Sequence, residues 1–385
     1  MPGTQTTHKT GPRGFKRAQD YWERVTEGAS LEQLWKQFHS DARQSYRLYS
    51  REVNWDEIQS QKKPFKRWLK SVWAVFQALL MKLSPARRVL LLAAMVLVVL
   101  PLPATLAGVY DPALARMLAV GATLLFGLLA LELADRVTMK RDLEIAREIQ
   151  SWLVPEKPPE IPGGQIAFAT RPANTVAGDY YDVLRHPASD TERWLIVVAD
   201  VAGKSMPAAL LMATFQASLR TLLTVMPRLA GLVTCINSYA CDHSQEGRRF
   251  TTALFAEYEP SSRKLTYINA GHNAAILRRA NGNFDSLAST GLPLGIPAPL
   301  GAASYVETTL QLAPGDTLVI FTDGLVEAIN AHGLEYGEER LMAALRLRGN
   351  ETAAMLLERL LADVGYFAGE THQQDDITCL VFRCI

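Results

Sequence analysis

Cysteine is scarce in this 385-residue chain, and the four present, Cys235, Cys241, Cys379 and Cys384, form no CxxC pair and have no histidine at zinc-ligand spacing. Neither a disulfide framework nor a zinc site is indicated, and reduced, mostly buried thiols are expected. Net charge is almost absent too, with 40 Lys plus Arg against 39 Asp plus Glu. Charge therefore gives no argument for nucleic acid as a partner. The amino-terminal region has no long apolar run, so no signal peptide is expected there. The length itself admits two or three domains.

What is present is unevenly distributed. Residues 1–85 carry a basic excess that peaks at Lys62, Lys63, Lys66, Arg67 and Lys70, interleaved with Phe65, Trp68 and Trp73. Such a basic, aromatic stretch suits an anionic lipid surface. The first dozen residues, rich in Thr, Gly and Pro, are expected to be disordered. Residues 18–51 show helical spacing through Trp22, Val25, Leu31, Leu34, Trp35 and Phe38, with Ser30 as a cap.

Two apolar segments follow, Val89 to Val109 and Ala113 to Leu131. Each is long enough to cross a bilayer, although Pro101 and Pro103 should kink or unwind the first. Lys82, Arg87 and Arg88 precede the pair, and Arg136, Lys140 and Arg141 follow it. The positive-inside rule then puts both ends in the cytoplasm, as a two-span hairpin over residues 86–134 of a multi-pass protein of the inner (cytoplasmic) membrane. The alternative is a pair of buried helices in a soluble protein, against which stands the run VLLLAAMVLVVL, hydrophobic on every face. Tyr110, Asp111 and Pro112 leave no room for an external domain between the spans.

Residues 135–160 read as a linker helix ended by Pro155, Pro158, Pro159 and Pro162, with Ile145, Ile149 and Trp152 on one face. Homodimerisation through it is possible, but the apolar positions do not keep heptad spacing back to Thr138 and Asp142. Residues 161–385 form the last domain. Strands are expected at Ile166–Thr170, Leu195–Ala199, Thr252–Tyr258, Lys264–Asn269, Ala274–Arg279, Thr317–Thr322 and Ile377–Phe382. Helices are expected at Met206–Val225, Pro227–His243 and Glu351–Ala362. Consecutive strands with helices grouped between them indicate an α+β domain of antiparallel sheets covered by helices.

Acidic residues recur in this domain at strand ends and glycine turns: Asp179 and Asp182 in GDYYD, Asp200 in VADVAGK, Asp323 in TDG, Glu327 just beyond, and Asp375 and Asp376 in QDDIT. Taken singly, each is an ordinary turn or cap residue. Together, carboxylates concentrated at strand ends repel one another unless cations sit between them, and such hard oxygen donors favour magnesium or manganese.

These blocks, in this order, resemble the SpoIIE-type or RsbU-type bacterial branch of the metal-dependent protein phosphatases, relatives of protein phosphatase 2C. The resemblance runs from about Arg147 to Phe382, through AREIQSWLVP, AGDYYD, DVAGKSMPAALLMA, FTTALFAEYEPSSRKLTYINAGH, GLPLG, LAPGDTLVIFTDGLVEA and QQDDIT. It implies an αββα sandwich of two antiparallel sheets flanked by helices, with two divalent cations, Mn2+ or Mg2+, in a cleft at one sheet edge. Asp179 and Asp200 resemble the metal ligands of the first two motifs, with the Val201 carbonyl completing one site. Asp323 resembles the ligand of the third, and Asp375 or the adjacent Asp376 that of the last. Asp182 is either a group behind the metals or a turn cap.

The implied reaction is hydrolysis of phosphoserine or phosphothreonine by water activated between two metals, with no covalent phosphoenzyme. The implied substrate is a phosphorylated anti-sigma-factor antagonist of the STAS fold. Three positions depart from the family pattern. Ala177 replaces a usual glycine. Ser205 replaces another, at a cost of about 1 kcal/mol if its φ is positive. The DVAGK block lacks the histidine of eukaryotic relatives, leaving water as the proton donor by default. Lys204 is either a phosphate contact or a solvated loop residue, and His272 is expected to be a hydrogen-bonded turn histidine. The competing reading, a phosphatase-fold scaffold without catalysis, predicts loss of at least one metal aspartate, and all four are present.

Overall fold

The computed structural model describes residues 64–385, apart from 109–110, 188, 190, 245–246, 298–304 and 350. The polar first dozen residues, the helical region expected at 18–51, and Lys62 and Lys63 lie outside the described residues, as does Tyr110. The chain divides into two compact units, one ending at Asp135 and the other beginning at Arg136.

In the first unit, α1 spans Pro64–Lys82, α2 Pro85–Val99 and α3 Leu102–Leu106, and α4 starts at Pro112. The break between α2 and α3 falls at Leu100 and Pro101, as the two prolines predict, because a proline ring removes one helix hydrogen bond and crowds the preceding turn. Residues 85–106 and α4 are both long and apolar enough to cross a membrane. Arg87 donates to Asp135 at 2.6 Å and reaches Glu132 at 3.5 Å, tying the start of α2 to the second apolar helix. Ala94 and Gly121 are buried, while Val96, Leu106 and Phe126 stand exposed.

Helix α4 runs without interruption from Pro112 to Leu153. It takes in both the second apolar segment and most of the residues read as the linker, because no proline lies between Pro112 and Pro155 and nothing terminates the helix earlier.

The second unit is the expected αββα sandwich. Its strands are β1 Gly164–Arg171, β2 Tyr180–Arg185, β3 Trp194–Val201, β4 Thr251–Glu259, β5 Lys264–Ala270, β6 Ala275–Arg278, β7 Phe284–Leu287, β8 Thr308–Gln311, β9 Thr317–Phe321 and β10 Ile377–Cys384. One sheet has the order β1-β10-β9-β6-β7 and the other β2-β3-β4-β5-β8. All the strand pairs are antiparallel. The helices are α5 Met206–Leu223, α6 Leu229–Asp242, α7 Asp323–Val326, α8 Gly337–Leu347 and α9 Ala353–Ala368.

Strand periodicity explains the layering. Ile196 and Val198 of β3 face the inter-sheet core with Leu254, Tyr258, Leu318, Leu380 and Phe382. The alternate Leu195, Val197 and Ala199 face α5 and α6, with Met212, Leu219, Leu232 and Ile236. β3 is therefore buried on both faces, which is why LIVVA reads as an unbroken apolar run. On the far side, α8 and α9 cover Val319, Phe321, Cys379 and Val381 through Leu341, Leu345, Leu357 and Leu360.

Candidate functional site

Strand direction and register deliver the aspartates to one end of both sheets. Asp200 is the penultimate residue of β3 and pairs in register with Thr252 of β4. Asp179 immediately precedes the antiparallel β2. In the other sheet, Asp323 opens α7 just after β9, and Asp375 and Asp376 immediately precede β10, which runs antiparallel to β9.

Two glycines make this closeness possible. A Cβ on Gly324 would stand 2.1 Å from the Asp376 carbonyl oxygen, so no side chain fits where α7 crosses the start of β10. A Cβ on Gly178 would crowd Ala208 and the Val201 carbonyl oxygen, each at 3.2 Å. The Val201 carbonyl thus lies against the loop that carries Asp179.

The electrostatics report the crowding. Burial, then Asp323, Asp375 and Asp376, push the Asp200 carboxyl up to about 7, with Lys204 partly opposing them. Asp179 is nearly fully buried and raised well above the usual carboxylate range by that burial and then by Asp200. Burial and then Asp375 raise Asp323. Burial also raises Glu327, followed by the field of Asp323. Among the described residues, no three of these carboxylates close around a single point. Lys204 supplies the local cation: its ammonium pairs with Asp375 at 2.8 Å and donates to the Gln374 carbonyl at 2.7 Å.

Asp375 and Asp376, which sequence leaves as alternatives, have different surroundings. The Asp376 carboxylate accepts the backbone N–H groups of Ala173 and Gly178, one on each oxygen, both at 2.7 Å. Asp375 is partly exposed and faces Lys204. Asp182 is neither a turn cap nor a neighbour of this cluster. It lies within β2, buried, accepting from the Tyr180 hydroxyl at 2.6 Å and from Arg220 of α5 at 2.7 and 3.0 Å. The alternation of β2 turns it with Tyr180 toward the helix layer.

Thr322 is a residue that sequence reasoning missed. Its hydroxyl donates to Asp179 at 2.9 Å and accepts the Thr378 N–H at 2.9 Å, so it links the two sheets beneath the aspartates. Only its place in TDG, beside Asp323, hinted at this. His272 is a buried turn histidine whose pKa burial lowers to about 4; its ring meets the Thr252 hydroxyl at 3.1 Å and its backbone N–H donates to the Asn269 side-chain oxygen at 2.7 Å. The GLPLG segment shapes a turn through reciprocal backbone bonds between Leu294 and Thr251. Ser205 does have positive φ, 64° with ψ −148°, whereas Ala177 does not.

A cleft of about 270 Å3 opens beside Asp375 and Lys204, walled by Glu327, Arg171 and His372.

Residues 190–385 match the family model described as Stage II sporulation protein E (SpoIIE). The chain is 30% identical over 196 residues to the phosphoserine phosphatase RsbU of Bacillus subtilis, covering 51% of this chain and 56% of RsbU. It is 27% identical over 283 residues to protein IcfG of a Synechocystis species, covering 66% of this chain and 43% of IcfG. The matches thus span about half the length of these relatives. Among solved structures, the SiaA-PP2C domain of Pseudomonas aeruginosa superposes with a TM-score of 0.56 at 22% identity, over 65% of this chain and 98% of that domain. The two share the sandwich fold.

Proposed function

Because this chain belongs to the SpoIIE family, we propose that it is a membrane-anchored, metal-dependent protein serine/threonine phosphatase. Its substrate in this reading is a cytosolic regulator carrying phosphoserine or phosphothreonine. The observation that carries the reading is the convergence of Asp179, Asp200, Asp323 and Asp375, from four separate segments, at one end of both sheets. Mutually repelling carboxylates are a poor structural choice unless cations come between them, and an all-oxygen donor set suits magnesium or manganese.

Those four aspartates, with the Val201 carbonyl, would hold two such ions, and Asp376 would instead fix the loop before Asp179. When bound, the ions supply Lewis acidity toward the phosphate oxygens and the attacking water. Thr322 orients Asp179 through its hydroxyl. The Lys204 ammonium, already at the cluster, is in reach of a phosphate oxygen at the mouth of the cleft. Attack by water rather than by a protein thiol accords with Cys379, whose pKa burial raises to about 12.

The named activity of RsbU, a phosphoserine phosphatase, supports phosphoserine as the substrate group. A phosphorylated STAS-type anti-sigma-factor antagonist is the partner that this reading favours. Residues 86–134 would form the membrane hairpin, with the phosphatase domain from residue 161 in the cytoplasm. The exposed apolar faces of the two helices and their basic flanks support that placement. Exposed Ile145, Ile149 and Trp152 support a homodimer through the linker.

The test is manganese-dependent release of phosphate from a phosphoserine protein by the detergent-solubilised full chain, compared with Asp200→Asn and Asp323→Asn. Each variant is expected to lose at least about a hundredfold in turnover. Undiminished turnover in both would sink the two-metal reading, and activity on small phosphoesters alone would remove the protein substrate.

A further inference from the structure

The loop that carries Asp179 is gripped on two sides, and only one grip comes from the aspartate motifs. On the first side, Asp376 accepts the N–H of Gly178 and of Ala173. On the second, the Gln150 carboxamide meets Ala177 with both of its functional ends. Gln150 Nε2 donates to the Ala177 carbonyl at 2.7 Å, and Gln150 Oε1 accepts the Ala177 N–H at 3.0 Å. A primary amide here pairs with a backbone residue as a neighbouring strand would.

Ala177 is buried, and its N–H and carbonyl have no other hydrogen-bond partner among the described residues. Without Gln150, two buried backbone groups would therefore lose their partners two residues before Asp179. The position of Gln150 is itself fixed. The carbonyl of Leu153, at the end of the same helix, accepts from Gln216 of α5 at 3.3 Å, and that of Pro155 accepts from the Tyr181 hydroxyl at 3.4 Å. Beside this contact lies a second cleft, of about 610 Å3, lined by Gln150, Trp152, Ala177, Met212 and Asp179. On this side the loop borders the cleft through Ala177 and Asp179, while Val201, Ala208 and Thr322 pack against or bond to its other side.

We propose that Gln150 is a positioning residue for the phosphatase centre: its carboxamide holds Ala177, and through it the Asp179 carboxylate, in place to receive a divalent cation. Loss of that contact should appear as weaker metal binding, because groups that orient a ligand set the metal affinity while leaving the loaded site intact. The inference rests on the reading of Asp179 as a metal ligand.

Manganese binding to the full-length chain in detergent micelles is measured directly, from the electron paramagnetic resonance signal of free Mn2+. Hydrogen exchange of the segment 173–179 is followed in parallel. Gln150→Ala is expected to weaken Mn2+ binding by about tenfold or more. It should also raise the manganese concentration that activates turnover, without lowering turnover at saturation, and speed exchange in 173–179 but not in β3. Gln150→Glu keeps the acceptor for the Ala177 N–H but sets a carboxylate oxygen against the Ala177 carbonyl, so it too should weaken Mn2+ binding and speed exchange in 173–179. Ser151→Ala, whose hydroxyl donates within the helix to the Glu148 carbonyl and has no other hydrogen bond among the described residues, should change nothing.

Retention of full Mn2+ affinity in Gln150→Ala or Gln150→Glu overturns the proposal, as does unchanged exchange in 173–179. If Gln150→Ala does not fold, as seen by exchange rising throughout β3, Gln150→Glu decides alone. Failure of the unaltered chain to bind Mn2+ would instead overturn the metal reading, while the exchange comparison still tests the grip on Ala177.

Discussion

The carboxylate of Asp376 accepts the Gly178 amide at 2.7 Å, so the last acidic motif of the chain holds the backbone just before the first. Nearly two hundred residues separate them in sequence. The neighbouring Asp375 meets Lys204 instead, so two adjacent aspartates perform different tasks.

Substitution at these two positions should separate the tasks. Asp376→Ala removes two charge-assisted hydrogen bonds to backbone N–H groups and is expected to cost about 2–3 kcal/mol, read from the urea midpoint. Asp375→Asn should leave the midpoint in place and abolish manganese-dependent turnover. The opposite pattern would exchange the roles assigned here.

Ser205 stands at φ 64° and ψ −148°, a conformation that a side chain other than glycine's enters only under strain. That strain is about 1–3 kcal/mol, and glycine returns up to about 1 kcal/mol of it through its freer unfolded chain. Ser205→Gly should therefore stabilise the protein by roughly 1 kcal/mol. A thermal midpoint no higher than that of the unaltered chain would argue against it.

Asp182 is buried, with Arg220 as its ion-pair partner and the Tyr180 hydroxyl and the Val183 N–H as its further hydrogen-bond donors. Arg220→Ala should cost about 2 kcal/mol by stranding that charge, less than for a fully buried pair because the arginine is half exposed. Adding Asp182→Asn should recover part of the loss. Double-mutant analysis of urea midpoints measures the coupling.

His186 offers a pH signature away from the aspartates. Its ring is buried, bonded to Glu257 through Nδ1 and to the Met226 carbonyl through Nε2, with Arg193 on the far side of Glu257. The Glu257 hydrogen bond chiefly raises its pKa, with burial opposing and Met226 assisting. A raised histidine pKa means that the folded state holds the proton more tightly than the unfolded state. The stabilisation is complete below the unfolded value of about 6.5 and fades as pH rises through the folded value. Stability of the unaltered chain should fall across that window, with the raised Asp200 carboxyl adding to the fall, and His186→Gln should remove only the histidine's share of the slope.

The structure also shows where local pattern was sufficient and where it was not. β3 and β4 were legible because strands buried on both faces are largely apolar, with Glu257 a buried exception in β4. β7 and β8 were not: each is a four-residue edge strand, and β8 alternates intermediate and exposed residues, so burial leaves no strong pattern. β2 escaped notice because Asp182 interrupts its apolar run, and its partner Arg220 lies 38 residues away. The break at Pro101 was readable from proline chemistry, whereas the fusion of span and linker into one helix follows from the lack of any stop signal before Pro155.

By itself, the residue pattern determined an α+β domain of antiparallel sheets covered by helices, the two apolar segments and the set of acidic positions, because burial and turn chemistry act on residue types close along the chain; the two-sheet sandwich came from the family resemblance. Only the tertiary structure decided which acid does what. Asp375 and Asp376 are the same residue type one position apart, and what distinguishes them is contact with Lys204 in one case and with Ala173 and Gly178 in the other. Thr322, Arg220 and Gln150 acquire their roles in the same way, from partners that the fold brings within hydrogen-bond reach.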